Sequence, residues 1–364
     1  MLKSYLLVAL RNLRRYKAYS FINVSGLAVG MACCLLIFLF VRDELRYDRF
    51  HEHADDIYRV LLGEEIEVTP TIVAPLFKRE FPEVIEAARL YDVGRSRPVV
   101  LGYGDKVFQE NLFMYADSTV FDVFTMPFVA GDPETALRRT NTIVLTASMA
   151  EKYFGNADPM GEMLSLNGST LYEVTGVMAD LPTTSHLRFG FLASFASVHW
   201  AEREIWDSAN FYTYLRLHDG QAAPGLQAKI DALIDRVRAE GTVGNQYALN
   251  LQPLTGIYLR FEGRITYVYL FSAIGLLVLL IACVNYMNLA TARSARRARE
   301  VGIRKVAGAY RGQLIGQFYG ESALLTFFAL ALAMLLAEAA LPLFNSVSGK
   351  ALAIRYAEIG RAHV

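Results

Sequence analysis

The stretch Ala292–Arg311 reads ARSARRAREVGIRKVAGAYR. Seven of its residues are basic (Arg293, Arg296, Arg297, Arg299, Arg304, Lys305 and Arg311), against one acid, Glu300. It lies between two long apolar runs. Lys and Arg near the ends of a span resist translocation, so a short basic connection stays on the cytoplasmic side. That orients everything else. Ala and Arg favour helix, and Val301, Ile303 and Val306 can share an apolar side. Gly302, Gly308 and Gly312 punctuate the stretch. We expect a cytoplasmic loop or short amphipathic helix over residues 291–316, able to lie on a bilayer or dock into a soluble partner.

Outward from this stretch, three apolar runs predict transmembrane helices over residues 21–41, 265–290 and 317–344. Residues 1–20 carry Lys3, Arg11, Arg14, Arg15 and Lys17 and no acid, with Leu2, Leu6, Leu10 and Leu13 near one helical face. This pattern predicts an amphipathic helix on the inner membrane surface. A cleaved signal peptide would have a shorter apolar core. Here the run is long and VRDEL follows it, so we read an uncleaved span with its N-terminus inside. The second span then runs inward to the basic stretch and the third outward again, with Glu321 and Glu338 at or near its ends. Asn285 and Asn288 lie near the inner end of the second; helix–helix hydrogen bonding is favoured over substrate contact. Residues 345–364 form an extracytoplasmic tail. Its last six residues, IGRAHV, match one reading frame of a common sequencing adapter, and we expect the native chain to continue.

The chain is 54% hydrophobic and 20% charged, which suits a membrane protein with a sizeable aqueous part. Equal numbers of basic and acidic residues, 36 each, give no ground for a nucleic-acid partner. Cys33, Cys34 and Cys283 all fall in apolar runs without metal-ligand spacing, and read as small apolar residues.

Residues 42–264 read as an extracytoplasmic α+β domain, in two subdomains. Thr71–Phe81 is a helix stopped by Pro82, and Val107–Tyr115 one strand. Asp117 or Ser118 caps a short helix through Phe121 and Phe124. Thr142–Leu145 is a strand, followed by a helix from Thr146 or Ser148 that Gly155 closes. Asn167-Gly168 turns a hairpin within Leu164–Val174, and Tyr172–Met178 is a strand. Gly225–Ala239 is a helix burying Leu226, Ile230, Leu233, Ile234 and Val237. Leu249–Leu259 is a strand leading back to the membrane.

Familiar catalytic patterns are missing from the sequence. It holds no G-x-x-x-x-G-K-[ST], no H-E-x-x-H, no G-x-S-x-G and no Cys/His zinc spacing. His51 and His53, beside Glu52, Asp55 and Asp56, read as a solvated polar linker rather than a metal site. Thr183, Thr184, Ser185 and His186 read as loop capping rather than a catalytic pair.

The pattern resembles the FtsX/MacB-like permeases of ABC transporters. Their second and third spans are joined by a loop similar to R-E-[IV]-G-I-R-K-[AV]-x-G-A, here Arg299–Ala309. FDVFTMPFVAGDPETAL (Phe121–Leu137), NTIVLTASMAEKYFG (Asn141–Gly155) and YEVTGVMADLPTTSHLRF (Tyr172–Phe189) look like that family's MacB-like periplasmic core domain. The N-terminal LRNLRRYKAYSFINVSGLAVGMACCLLIFLFVRDELRYDRF is similar to the start of its long, duplicated members. The resemblance covers nearly the whole chain to about Lys350. It implies a multi-pass protein of the bacterial inner membrane with a periplasmic domain. It implies a non-catalytic permease subunit that couples ATP hydrolysis elsewhere to movement of its outer domain, by mechanotransmission. Export or extraction of an antibiotic, peptide, lipid or lipoprotein would follow. The implied partners are an ABC ATPase dimer carrying the ATP and Mg, membrane lipid, and a periplasmic adaptor or outer-membrane channel. Arg299, Glu300, Gly302, Ile303, Arg304, Lys305 and Gly308 are the implied ATPase-coupling residues. This chain lacks the family's fourth span and, for the long type, its second half, so further chain is expected.

A membrane sensor or regulator, including FtsX-like control of wall hydrolases, is the main alternative. Two spans around an outer domain fit it, but a third span in place of a long helical relay does not. A membrane-anchored enzyme fits the layout and lacks any motif.

Overall fold

A long helix that is apolar on every face cannot stay in water, and α1 (Lys17–Leu45) is one. The computed structural model describes residues 17–94, 97–244, 247–260, 263–306 and 310–354. In α1 the stretch long and apolar enough to cross a membrane is Ser20–Leu45, several residues more than the expected 21–41. Of the amphipathic N-terminal helix expected over residues 1–20, residues 1–16 lie outside the described residues, and residues 17–20 open α1.

The chain divides into two units: Arg46–Glu262, and a second built from Met1–Leu45 with Gly263–Val364. The first unit alternates strand and helix. Its elements are β1 (Ile57–Leu62), β2 (Thr69–Pro70), α2 (Val73–Glu80), β3 (Val84–Asp92), β4 (Val99–Tyr103), β5 (Lys106–Glu110), β6 (Phe113–Ala116) and α3 (Val120–Val123). Then come β7 (Phe128–Gly131), β8 (Thr142–Thr146), α4 (Ala147–Phe154), β9 (Met163–Leu166), β10 (Thr170–Met178) and β11 (Phe191–Ser194). Last are β12 (Ala209–Leu217), α5 (Ala223–Ala239), β13 (Leu249–Pro253) and α6 (Leu254–Arg260). The lateral order is β13-β1-β12-β3-β6-β11-β8-β10-β9-β4-β5, with β2 on β12 and β7 on β10. Only β8/β10 and β6/β11 are parallel among the described pairs. The described strands join in one hydrogen-bonded sheet.

Four buried apolar sets hold the unit together, the smallest being Phe195, Val198, Ala201 and Phe211. Helices α2 and α5 cover one, where Phe77, Leu226, Ile230 and Leu233 meet Val60 and Leu215. Leu90, Phe124, Val144 and Tyr214 belong to the second, and Phe113, Ile143, Tyr153 and Phe191 to the third. Burial of this kind is worth about 25 cal/mol per Å² of apolar surface, which makes it the main stabilising term.

Several local expectations are corrected. The strand expected over Val107–Tyr115 breaks into β5 and β6, because the chain turns at Asn111 and Leu112 to change neighbours: β5 pairs with β4, β6 with β3 and β11. Neither Asp117 nor Ser118 caps α3, whose N-cap is Thr119 without a side-chain bond. Asp117 is taken by Arg89, which grips it from Nε at 2.8 Å and Nη2 at 2.9 Å. A bidentate fork outweighs a single cap bond. The strand expected over Leu249–Leu259 stops at Pro253 and becomes α6. Helix α5 starts two residues early, with Pro224 in its first turn. The Asn167-Gly168 hairpin forms as expected, both residues with positive φ (53° and 70°).

The other unit continues with α7 (Arg264–Val306) and α8 (Arg311–Ser348). Their membrane-length stretches are Arg264–Leu289 and Phe318–Ser348. The second expected segment ended at residue 290 and the third began at 317; both helices run well past those bounds. Glu338 is therefore interior to the third apolar stretch rather than near its end. Small residues let α1 and α7 approach. A Cβ at Gly30 would meet that of Ala282, Gly275 lies against Ile37, and Gly26 against the Asn285 amide. Numbers rising on α1 as they fall on α7 make the two antiparallel. Asn285 thus sits on the α1 seam, while Asn23 of α1 is buried and its amide makes no hydrogen bond among the described residues. The cysteines are free; Cys34 Sγ lies 3.2 Å from Gly275 O.

Candidate functional site

From Ala292 to Val306 the basic stretch is a continuation of α7, not a loop. SARRAREVGIRKV holds no proline, and its Ala, Arg, Glu and Lys favour helix enough to carry it through the one glycine, Gly302. The helix runs 43 residues, to Val306, roughly 65 Å at 1.5 Å per residue. Its apolar part ends at Leu289, so roughly 25 Å of basic helix projects beyond it. Arg299, Glu300, Gly302, Ile303, Arg304 and Lys305 all lie on this projecting backbone. Gly308 lies outside the described residues, which resume at Tyr310.

The projecting segment offers an apolar edge. Ile303 is 65% exposed and Val306, one turn on, 91%. Gly302 is open: a side chain there would meet nothing within 4 Å. Glycine is not required here by the chain's own packing. Open backbone beside two bare aliphatic side chains is a surface that another macromolecule can approach closely. Because α1 and α7 are antiparallel, the start of α1 at Lys17 lies at the same end of the bundle as this basic segment.

Of the two histidine motifs in the other unit, His53, Glu52 and Asp55 are exposed, as expected of a solvated linker, while His51 and His186 turn inward. His51 is buried, not solvated: its ring lies 4.0 Å from Phe50 and 5.1 Å from Phe124, and its Nδ1 accepts from Thr125 N–H at 3.1 Å. Burial lowers its pKa from 6.5 to about 4, nearby Asp48 opposing the change and His186 adding to it. His186 Nε2 lies 2.8 Å from the Tyr214 hydroxyl, and the His186 backbone N–H donates to Asp48 Oδ1 at 2.9 Å. Its Nδ1 is also 2.8 Å from Asp48 Oδ1, outside hydrogen-bond alignment. Asp48 carries a φ of 59° and is wholly buried. The TTSH loop is thus tied to the segment after α1 by His186, a structural joint and not an exposed catalytic pair. Among the described residues no group of His, Cys, Asp and Glu can hold a metal ion.

An open recess of about 570 Å³ lies beside α5, lined in part by Asp55, Asp56, Tyr58 and Asp219. Two of its carboxylates are already used, Asp56 by Gly220 N–H and Asp219 by Gln221 N–H.

Sequence reasoning missed Lys350, whose ammonium lies 2.5 Å from both Asp43 and Glu44 at the far end of the helical unit. The acids in VRDEL, just past an apolar run, were the only signal.

Two family models match the chain: the MacB-like periplasmic core domain over residues 20–233, and the FtsX-like permease C-terminal region over residues 272–358. An uncharacterized ABC transporter permease of Bacillus subtilis, YknZ, is 25% identical over 186 residues, covering 50% of this chain and 44% of that protein. The macrolide export ATP-binding/permease protein MacB of Sodalis glossinidius is 24% identical over 280 residues, covering 74% of this chain and 39% of that protein. The chain spans less than half the length of these curated relatives. The periplasmic region of MacB from Actinobacillus actinomycetemcomitans, a solved structure, matches with a TM-score of 0.42 and 13% identity, over 57% of this chain and 92% of that one. The first family model alone covers well over half of the sequence, and the protein belongs to the FtsX/MacB-like permease family, with a MacB-like periplasmic core domain set in an FtsX-like membrane region.

Proposed function

We propose that this chain is the permease part of an ABC transporter that works by mechanotransmission, its basic helix receiving the push of a separate ATPase dimer. The observation that carries the reading is the unbroken extension of α7 beyond its apolar part to Val306. A rigid rod, unlike a loop, moves its span when its tip is pushed. Ile303 and Val306 supply apolar contact, Arg299, Arg304 and Lys305 pair with acidic partner groups, and Gly302 and Gly308 admit a close backbone. Glu300 gives the one opposite charge for register. ATP and Mg bind on the partner. The basic end of α1 at the same end of the bundle supports a cytoplasmic location for both and a periplasmic location for Arg46–Glu262. The cargo class is an apolar drug, peptide, lipid or lipoprotein.

Arg304→Glu with Lys305→Glu tests this. The tagged chain is purified from membranes of its own host. The partner is identified by mass spectrometry as an ATPase with a phosphate-binding loop. Wild type retains the ATPase; the variant stays in the membrane and retains at least tenfold less. Equal retention, with equal ATP turnover, rejects the coupling role. Retention of a kinase in place of an ATPase points to the sensor reading.

A further inference from the structure

The seam between α1 and α8 has small residues at its centre. Ala28 and Ala32 of α1 join Ala329, Ala333 and Ala337 of α8 in one buried set, each at most 6% exposed. Four-residue spacing puts each helix's alanines in a single stripe, and such stripes let helix backbones pack closely in a membrane. A methyl group is a shallow knob. At its centre the seam therefore resists separation more than sliding; Leu27, Met31, Leu35, Leu36 and Leu332 pack against that centre, and non-directional apolar contacts of this kind leave a charged contact to single out one register.

That contact lies past the end of α8. The Lys350 ammonium is 2.5 Å from Asp43 Oδ2 and 2.5 Å from Glu44 Oε1. The lysine side chain is only 12% exposed and that of Glu44 4%. The ammonium also sits 5.0 Å from the centre of the Phe40 ring. Phe40 in turn meets Phe271 of α7 edge-on at 5.1 Å and Phe344 of α8 at 6.4 Å. All three helices meet at this one ring. The lysine's own backbone is braced: Lys350 N–H donates to Asn345 O at 3.3 Å, and the Asn345 side chain exchanges two bonds with the Leu352 backbone, at 2.9 and 3.0 Å. An exposed lysine would be held by none of this.

We propose that Lys350, Asp43 and Glu44 form a latch that fixes the axial register of α8 on α1, and that opening the latch lets α8 shear along the alanine seam. Removing one partner from a buried ion cluster leaves an unpaired charge. The latch is therefore closed or fully hydrated, with little between, and packed helices move by such small slides. In the transporter reading this slide passes movement along the membrane unit; only that purpose, and not the latch itself, rests on that reading.

The test uses the full chain in native membranes, with Cys33, Cys34 and Cys283 replaced by serine. Ala28→Cys or Ala32→Cys is combined with Ala329→Cys, Ala333→Cys or Ala337→Cys, and oxidative crosslinking rates are measured for each pair. With the latch intact, the pairs in one register crosslink and those a helical turn away, about 5.4 Å, do not. Lys350→Met or Glu44→Gln raises the out-of-register rates at least fivefold. Reversing all three charges together (Lys350→Glu, Asp43→Lys, Glu44→Lys) restores the narrow pattern. A pattern unchanged in both broken variants overturns the latch. If neither accumulates, Lys350→Arg is judged by the same criterion, since a planar guanidinium cannot seat as the compact ammonium does. No ATPase or cargo enters the measurement, so the latch and the coupling role stand or fall separately.

Discussion

His51 shows how one residue converts burial into pH sensitivity. Its ring is held neutral, with a pKa lowered from 6.5 to about 4 chiefly by burial. The unfolded chain takes up the proton first as pH falls. Stability is therefore complete above the unfolded value of 6.5 and is lost as pH drops from there to about 4, by about 3 kcal/mol. Both tryptophans, Trp200 and Trp206, lie in the Arg46–Glu262 unit, so their fluorescence reports on it alone. The denaturant midpoint they report should fall between pH 6.5 and pH 4. His51→Met should flatten that dependence while costing about 1 kcal/mol at neutral pH, because Thr125 N–H loses its acceptor. An equally steep profile in His51→Met would assign it to other groups.

At the scale of elements, the sheet ends in two different ways. Strand β13 is an edge strand, and edges invite pairing with other chains. The Gln227 side chain of α5 closes this one: its Nε2–H donates to Leu249 O at 2.9 Å and its Oε1 accepts from Leu251 N–H at 2.9 Å. A carboxamide with one donor and one acceptor imitates a residue of a neighbouring strand. Pro253, which has no N–H, ends the strand. Gln227→Ala removes two hydrogen bonds, for a loss of about 1–2 kcal/mol in the tryptophan-reported midpoint, and increases self-association in size-exclusion chromatography. Unchanged values would show that α5 covers the edge without Gln227. Strand β5, the opposite edge, exposes Val107.

For the whole molecule, the division after Leu45 and before Gly263 is also a division of solvents. The outer unit keeps its own buried sets and its own sheet, with no strand borrowed from the helical unit among the described residues. Residues 46–262, expressed alone, should fold cooperatively and stay in solution. Circular dichroism showing mixed helix and strand with one sharp melt checks this. A broad, non-cooperative melt would mean that the outer fold depends on its spans. The helical unit, by contrast, is apolar outward, with Tyr269, Leu276, Ile281 and Phe327 each more than half exposed, and needs lipid or detergent throughout.

Hydropathy and charge alone determined three spans, the large aqueous insertion between the first two, and the helical character of Ala292–Val306, because each is a local property of composition and spacing. Local turn chemistry was legible too, as at Asn167-Gly168 and Gly155. What the sequence could not show were outcomes of distant neighbours competing for the same group. Asp117 looked like a cap until Arg89 claimed it, and Leu254–Leu259 looked like strand until Pro253 closed the edge. His51 looked solvated until Phe124 and Thr125 enclosed it, and Lys350 looked like a tail residue until α1 brought Asp43 and Glu44 beside it. Tertiary structure decided those cases for one reason: a charge or a hydrogen-bond donor is satisfied by whichever partner the fold brings within 3 Å, and separation along the chain carries no record of which that is.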